Sequence, residues 1–361
     1  MKVTVSAKEL TDAIKDIQKG IDQVQALTLS ASKGLTITAQ NAGRVLAVRV
    51  KDAQVEEKGS FTVKPEILTG ILKNRKDITL ELKGNDVSFK APSSKAYSGN
   101  FVTLPAEKVS VESESTDLDF SEDFVASLNT IVAAVSINDV HLGKQNPLPI
   151  FVKLSEKGAE FSCCNDSHIA YARTKKGKFK KDSLMCLPAG TIPLINALAR
   201  NGTYKMAVTQ ASVFAANDAF RYRVPLEQFD QAISLDDAKG LLKQLKGEKV
   251  AGSIKVRVGD LSKTMDNLMS VYEENVPVEF LIKEGALRAR TKTNYGSVAD
   301  GIKGKDAKDM KSSVNVHPQV LNDILTRIKA EVVSVTVIGE KCLLIEANTD
   351  DVEYTYSCIL L

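Results

Sequence analysis

Ser60-Phe61-Thr62-Val63-Lys64-Pro65, Ser183-Leu184-Met185-Cys186-Leu187-Pro188 and Ser313-Val314-Asn315-Val316-His317-Pro318 spell one pattern three times. Each reads serine, apolar, any residue, apolar, any residue, proline. Apolar residues two apart suit a half-buried strand. The proline closes the strand and can open a helix, because the first helical turn has no use for its missing N–H. A helix-like run follows in the first unit (Ile67, Leu68, Ile71, Leu72) and in the third (Val320, Leu321, Ile324, Leu325). The middle copy is looser, with Leu194, Ile195 and Leu198 behind a second proline, Pro193, so its helix is expected to start later. From Pro65 to Pro188 is 123 residues and from Pro188 to Pro318 is 130. A unit of that length is a whole domain and not a solenoid repeat.

A second marker keeps the same register. Lys33-Gly34-Leu35, Lys157-Gly158-Ala159 and Glu284-Gly285-Ala286 each read as a hairpin between strands, with the glycines 124 and 127 apart. The chain is therefore expected to be three copies of one α+β domain, spanning 1–115, 116–236 and 237–361, each with two helices and about eight strands. The first helix runs from Ala7 to Lys19 with Leu10, Ile14 and Ile17 on its apolar side. Its counterparts carry Phe124, Val125, Leu128, Ile131 and Val132, and then Leu261, Met265 and Leu268. A polar link, Glu112–Thr116, precedes the second copy, and a Lys-rich, partly helical connection, Lys239–Gly252, precedes the third.

The 361 residues are 43% apolar and 26% charged, an ordinary soluble composition that supplies each domain with a core. A net charge of +3 does not by itself mark a nucleic-acid binder; only a segregated distribution would. No run approaches a membrane span, and the opening Met1-Lys2-Val3-Thr4-Val5 reads as a strand, so no membrane partner is expected. The five cysteines, Cys163, Cys164, Cys186, Cys342 and Cys358, sit in strand-like contexts without metal-ligand spacing. They read as reduced core thiols of a cytoplasmic protein, with no metal and no cofactor. Alternation along one strand would set Cys164, Asp166 and His168 on one face, but a core thiol beside a turn is the simpler account than a thiol catalyst. His141 and His317 stand alone, and the run Lys175–Lys181 reads as a solvated hairpin. Walker A, GxGxxG and HExxH patterns are absent, so no catalytic residue is assigned.

Domains that end in open strands must cover or pair them. A tandem array can pair edge to edge, and a closing rotation makes a ring. The first domain's open strand and the third domain's C-terminal strand are then the expected subunit contacts. Basic residues recur off the apolar helix stripes in every copy: Lys15, Lys19, Lys73, Arg75, Arg200, Lys263, Arg327 and Lys329. A basic surface lined by helices suits a phosphate backbone held without sequence readout. The chain has no tryptophan and no aromatic interleaving, which argues against base stacking.

At this point the chain resembles the bacterial-type DNA polymerase sliding clamp, the beta processivity clamp, over essentially its whole length. The residues that carry the resemblance are Met1–Val5, Thr103-Leu104-Pro105-Ala106, the three Ser…Pro units, and Asn165-Asp166-Ser167-His168-Ile169-Ala170. The last is similar to the family's Thr-Asp-Gly-His-Arg-Leu. The resemblance implies a non-enzymatic, head-to-tail homodimer that closes as a ring around double-stranded DNA. It also implies a DNA polymerase and an ATP-driven clamp loader as partners. Their peptides would dock in a pocket between the second and third domains. Carried over by position, that pocket uses Leu148, Asn165, Ser167, His168, Ile169, Ala170, Cys358, Ile359, Leu360 and Leu361. Ser167 and Ile169 replace the family's Gly and Arg, and the tail lacks the family's Met-Pro-Met-Arg-Leu character. Such drift fits a clamp encoded by a bacteriophage and acting in its infected host. Two rival readings are a monomeric interaction scaffold and a ligand-binding or enzymatic protein on the same repeated domain.

Overall fold

A computed structural model describes residues 1–92, 94–105, 150–164, 168–175, 183–187, 191–199, 204–208, 211–226, 234–271, 276–326, 328, 330–339 and 341–360. In chain order the elements open with β1 (Lys2–Ser6), α1 (Ala7–Gly20), β2 (Leu27–Ala31), β3 (Leu35–Asn41), β4 (Arg44–Val50), β5 (Gln54–Glu57), β6 (Gly59–Val63), α2 (Pro65–Leu72), β7 (Asp77–Lys83), β8 (Asp86–Ala91) and β9 (Ser94–Val102). Next come β10 (Ile150–Ser155), β11 (Gly158–Cys164), β12 (His168–Thr174), β13 (Ser183–Leu187), α3 (Thr191–Ala199), β14 (Lys205–Val208), β15 (Ser212–Ala216) and β16 (Phe220–Pro225). The chain finishes with α4 (Leu235–Gly247), β17 (Val250–Arg257), α5 (Val258–Met269), β18 (Val278–Lys283), β19 (Ala286–Thr293), β20 (Gly296–Lys303), β21 (Lys305–Lys308), β22 (Val314–Val316), α6 (Pro318–Leu325), β23 (Val332–Ile338), β24 (Cys342–Asn348) and β25 (Val352–Ile359). Every strand pairing among the described residues is antiparallel, and the class is mixed helix and sheet.

Two compact units divide these elements: Met1–Glu122 with Leu194–Leu226, and Asp123–Pro193 with Glu227–Leu361. The first unit holds a five-stranded sheet, β5-β1-β7-β8-β9, and a seven-stranded one, β14-β15-β16-β4-β3-β2-β6. The second holds a nine-stranded sheet, β13-β10-β11-β12-β25-β24-β23-β17-β21, and a four-stranded one, β20-β19-β18-β22. The order β6-β2-β3-β4-β16-β15-β14 reappears as β13-β10-β11-β12-β25-β24-β23. Strands one repeat apart in sequence therefore complete one another's sheets. β4 pairs with β16, and β12 pairs with β25 in the same way.

Local chemistry accounts for the elements. On α1, Ala7, Leu10, Ala13, Ile14, Ile17 and Gly20 form the buried stripe at helical spacing. Each such Leu or Ile contributes about 1.5–3 kcal/mol of transfer free energy. At Gly20 a Cβ would lie 2.5 Å from Leu46 Cδ2, so any larger residue there would force the buried Leu46 side chain to shift. The buried Tyr222 hydroxyl donates to the Gly20 carbonyl at 3.0 Å. Pro65 and Pro318 each open a helix, α2 and α6, as the repeated motif predicts. In the middle copy helix α3 is described over Thr191–Ala199, and Pro188 lies outside the described residues. Glu284 and Gly285 both take positive φ, 55° and 73°, which closes the β18–β19 hairpin with the twist its strands need.

Three expectations change. β25 is paired on both sides, by β12 and β24, so the C-terminal strand offers no free edge. The connection before the third repeat is the full helix α4, and β17 begins at Val250, ahead of the expected Ile254. β5 and β21 add two short strands with largely exposed residues; their sequences, Gln-Val-Glu-Glu and Lys-Asp-Ala-Lys, carry no apolar alternation to announce them. The helix expected around Phe124–Val132, the link Glu112–Thr116, His141 and residues 176–181 lie outside the described residues.

Candidate functional site

The described residues of the expected peptide pocket lie on β12 and at the end of β25, divided between the two faces of the sheet. Antiparallel register sets Cys164 opposite Ile169, Ile169 opposite Ser357, and Ser357 opposite Leu344, so these four share one face. Helix α4 covers that face. Ser234 caps it, accepting from the Asp237 amide and donating to the Asp237 carboxylate at 2.6 Å. Leu235, Ala238 and Leu242 are buried at helical spacing. Ala238 and Leu242 pack with Cys164, Ile169, Ile338 and Leu344, flanked by Tyr171, Leu245 and Cys342.

Two ion pairs fasten α4. Lys239 donates to both oxygens of Glu160 at 2.9 Å, and the Tyr171 hydroxyl donates to the same carboxylate at 2.9 Å. Lys246 meets Glu346 at 2.7 Å. Burial pushes the Glu160 carboxyl up, but the hydrogen bonds from Lys239 and Tyr171 outweigh it and hold the group below the usual carboxylate range.

His168 occupies the opposite face. Its Nδ1 lies 2.6 Å from the Tyr356 hydroxyl, and the two rings stack with centroids 6.0 Å apart. Burial raises the Tyr356 hydroxyl well above its ordinary value. Cys358, opposite His168 in register, is pushed up to about 12, again chiefly by burial. On the other face burial pushes Cys164 up to about 12 as well. Thiols at such values stay protonated near neutral pH and are poor nucleophiles. The expected alignment of Cys164 with His168 is also overturned. The chain reverses between β11 and β12, so Ile169, and not His168, lies beside Cys164. Ile169 and Ala170 are buried, Ile359 is exposed, and the Leu360 amide is held by the Lys341 carbonyl at 2.7 Å. Leu148, Asn165, Ser167 and Leu361 lie outside the described residues.

Of the basic helix residues, Lys15, Lys19, Lys73 and Lys263 are exposed. Lys19 pairs loosely with Asp16 at 3.6 Å. Lys263 stands near Asp300, whose carboxyl is lowered first by the Asn267 side chain, then by the Gly301 amide and Thr264. Arg75 is differently placed: its guanidinium lies 3.7 Å above the Tyr97 ring, a cation–π contact. Arg200, Arg327 and Lys329 lie outside the described residues. No metal-binding group of three or more ligands exists among the described residues, and none of their helices is long and apolar enough to cross a membrane.

Sequence reading missed α4 as a covering element. Its signal was present: Leu235, Ala238, Leu242 and Leu245 follow helical spacing behind a Ser234…Asp237 cap, masked by the lysines between them. It also missed Glu160 and Tyr356, for which no linear pattern exists.

No protein-family model matches the chain, and no curated protein matches it in sequence. Solved structures do match. The beta subunit of DNA polymerase from Streptococcus pyogenes superposes with a TM-score of 0.80 at 11% identity, covering 100% of both chains. The DNA polymerase sliding clamp from Bacillus subtilis gives 0.80 at 13% identity, over 100% of this chain and 99% of that one. The DNA polymerase III beta subunit from Thermotoga maritima gives 0.76 at 16% identity with the same coverage. From end to end, this chain has the fold of the bacterial DNA polymerase beta subunit, the sliding clamp.

Proposed function

We propose that this chain is a processivity clamp, a non-enzymatic ring that encircles duplex DNA and tethers a replicative polymerase. The observation that carries the reading is the sheet order repeated across the β4–β16 and β12–β25 junctions, in a fold matched over the full length of known clamps. It supports three tandem domains, 1–115, 116–236 and 237–361, joined edge to edge. A head-to-tail homodimer would close the ring. Strands β9 and β20, which end their sheets, are the edges such a dimer would join.

A ring needs little affinity for DNA, because topology supplies retention. Exposed Lys15, Lys19, Lys73 and Lys263 lie on helices or at their ends in the first and third repeats, and suit sequence-independent phosphate contacts. Arg200, Arg327 and Lys329 complete that proposed face. The polymerase and an ATP-driven loader would dock peptides at the β12–β25 junction, with exposed Ile359 and half-buried Leu360 as the apolar groups at its end.

The test is retention on nicked circular duplex DNA against the same DNA linearised. A clamp stays on the circle and slides off the linear form. Equal retention on both removes topological linkage, and a monomer at micromolar concentration that still stimulates synthesis favours an open scaffold. Reversing Lys15, Lys73 and Lys263 to Glu should reduce loading with the fold intact; unchanged loading removes these side chains from the DNA face.

A further inference from the structure

The four-stranded and five-stranded sheets are two halves of a pattern that the nine-stranded sheet shows whole. β22-β18-β19-β20 follows the order of β13-β10-β11-β12, and β9-β8-β7-β1-β5 follows that of β25-β24-β23-β17-β21. β20 and β9 therefore hold the places of β12 and β25, which pair with each other. The internal junctions fix the register residue by residue. Leu187 and Val316 end their strands and pair with Ile150 and Val278, so the row Val152–Phe161–Ala172 matches Phe280–Ala289–Asp300. Ser6 and Arg257 precede α1 and α5 and pair with Asp77 and Val332, so Leu80–Phe89–Gly99 matches Val335–Ile345–Tyr356. Tyr356 faces Ala170 and Tyr354 faces Ala172. By the same register Gly99 faces Val298 of a second copy, and Tyr97 faces its Asp300. The β4–β16 junction repeats the arrangement, with Tyr222 facing Leu46 and Phe220 facing Val48. One further consequence supports it. The register sets Val102 opposite Tyr295, and these are the two most exposed large apolar side chains among the described residues, at 67% and 79%.

Inside the chain the place is apolar. Ile328, three residues beyond α6, is buried, and Tyr354 faces Ala172. At the two open edges it is charged. Arg75 lies three residues beyond α2, with its guanidinium 3.7 Å above the Tyr97 ring. Its Nε is buried and has no hydrogen-bond partner among the described residues, which is costly for a guanidinium N–H. Asp300 is held toward α5, its Oδ2 accepting from Thr264 at 3.0 Å and from Asn267 at 2.9 Å. Its Oδ1 accepts the Gly301 amide at 2.7 Å and keeps a lone pair for a further donor.

We infer that Arg75 of one copy pairs with Asp300 of a second copy across the β9–β20 junction, in the register that sets Gly99 opposite Val298. Residues directly opposite on paired strands have Cβ atoms about 4.5–5.5 Å apart, which brings the Asp300 carboxylate beside Tyr97 and within reach of the guanidinium stacked on it. Charge, and not only apolar contact, then selects the partner, and salt loosens the junction. The inference rests on the head-to-tail reading given above, and it assigns Arg75 to the contact between copies instead of to DNA.

The dimer constant, measured by sedimentation velocity at low and high salt, tests it on the unaltered chain, on R75E, on D300K and on an equimolar mixture of the two variants. Each variant alone sets like charges at both junctions of a dimer and should dimerise about tenfold or more weakly. The mixture restores opposite charges at both junctions and should regain most of that loss. Thermal melting checks that each variant is folded. D300K gives up the bonds from Thr264 and Asn267, but a chain that had merely misfolded would not be rescued by R75E. High salt should weaken the unaltered dimer and the mixed one alike. A variant that alone dimerises as the unaltered chain does overturns the ion pair and leaves the head-to-tail reading standing. Loss in both variants without rescue in the mixture overturns the pairing of these two residues. An unaltered chain that stays monomeric at every concentration and salt overturns the head-to-tail reading itself, and this inference with it.

Discussion

Replacing Glu160 with Gln tests how α4 is held. The Glu160 carboxylate accepts two contacts from Lys239 and one from Tyr171, all at 2.9 Å, and its side chain is only 16% exposed. A hydrogen bond to a charged group contributes about 1.5–3 kcal/mol when buried. Lys239 is 39% exposed, so water competes for it and the lower end applies. The expected loss is about 1–2 kcal/mol, or roughly 2–8 °C in the melting temperature of a unit of this size. The pH dependence has a definite sign. Glu160 titrates below its unfolded value, so its contribution is complete above that value and is lost as pH falls through the folded one. Wild type and E160Q should therefore differ near neutral pH and converge in acid. Thermal melts at stepped pH give the difference, and hydrogen exchange at the α4 amides locates it. A gap below about 0.3 kcal/mol at neutral pH, within ordinary mutational scatter, refutes the reasoning. So does a gap that grows on acidification.

Leu242→Ala should cost about 2–4 kcal/mol, because Leu242 is buried against Ile169, Ile338 and Leu344. The neighbouring Leu241→Ala, at a side chain 40% exposed, should cost under about 0.5 kcal/mol, and denaturant midpoints that fail to separate the two would place α4 elsewhere. Gly252→Ala would put a Cβ 2.2 Å from Met310 Cγ and 3.1 Å from the Lys308 carbonyl; overpacking of about 1–3 kcal/mol should appear in the same assay. An aromatic disulfide reagent at neutral pH should leave Cys164 unmodified in the native chain and label it after denaturation, as peptide mapping would show; rapid native labelling would mean that α4 does not stay closed over it.

The strands were legible wherever one face is buried and the other wet. β10, with buried Ile150, Val152 and Leu154, and β18, with Val278, Phe280 and Ile282, announce themselves by alternation. Pro65 and Pro318 announced helix starts because their chemistry is local. What remained hidden depends on partners far along the chain. β5 and β21 are strands only because β1 and β17 offer an edge to pair with. Cys164 and His168 part company because 165–167 joins two antiparallel strands, so alternation does not continue across it. Arg75 read as one cation of a phosphate-facing surface, and nothing local announced that its guanidinium would lie over the ring of Tyr97, 22 positions on. The lysines of α4 hid its apolar stripe, although two of them serve to fix it in place.

The β4–β16 pairing sets a schedule for synthesis. Phe220 comes 172 positions after Val48, its partner across the ladder. At the usual ribosomal pace of about 5–20 residues per second, β4 waits roughly 10–30 seconds for that partner. β12 waits about as long for β25, since Cys358 follows His168 by 190 positions. Throughout that interval each nascent half-sheet presents a complete ladder of unpaired amides and carbonyls, and a second nascent copy on the same message carries an identical β16 to offer. Exchange of that hairpin between neighbouring copies is the misassembly this topology invites, and slower translation upstream of residue 220 would increase it.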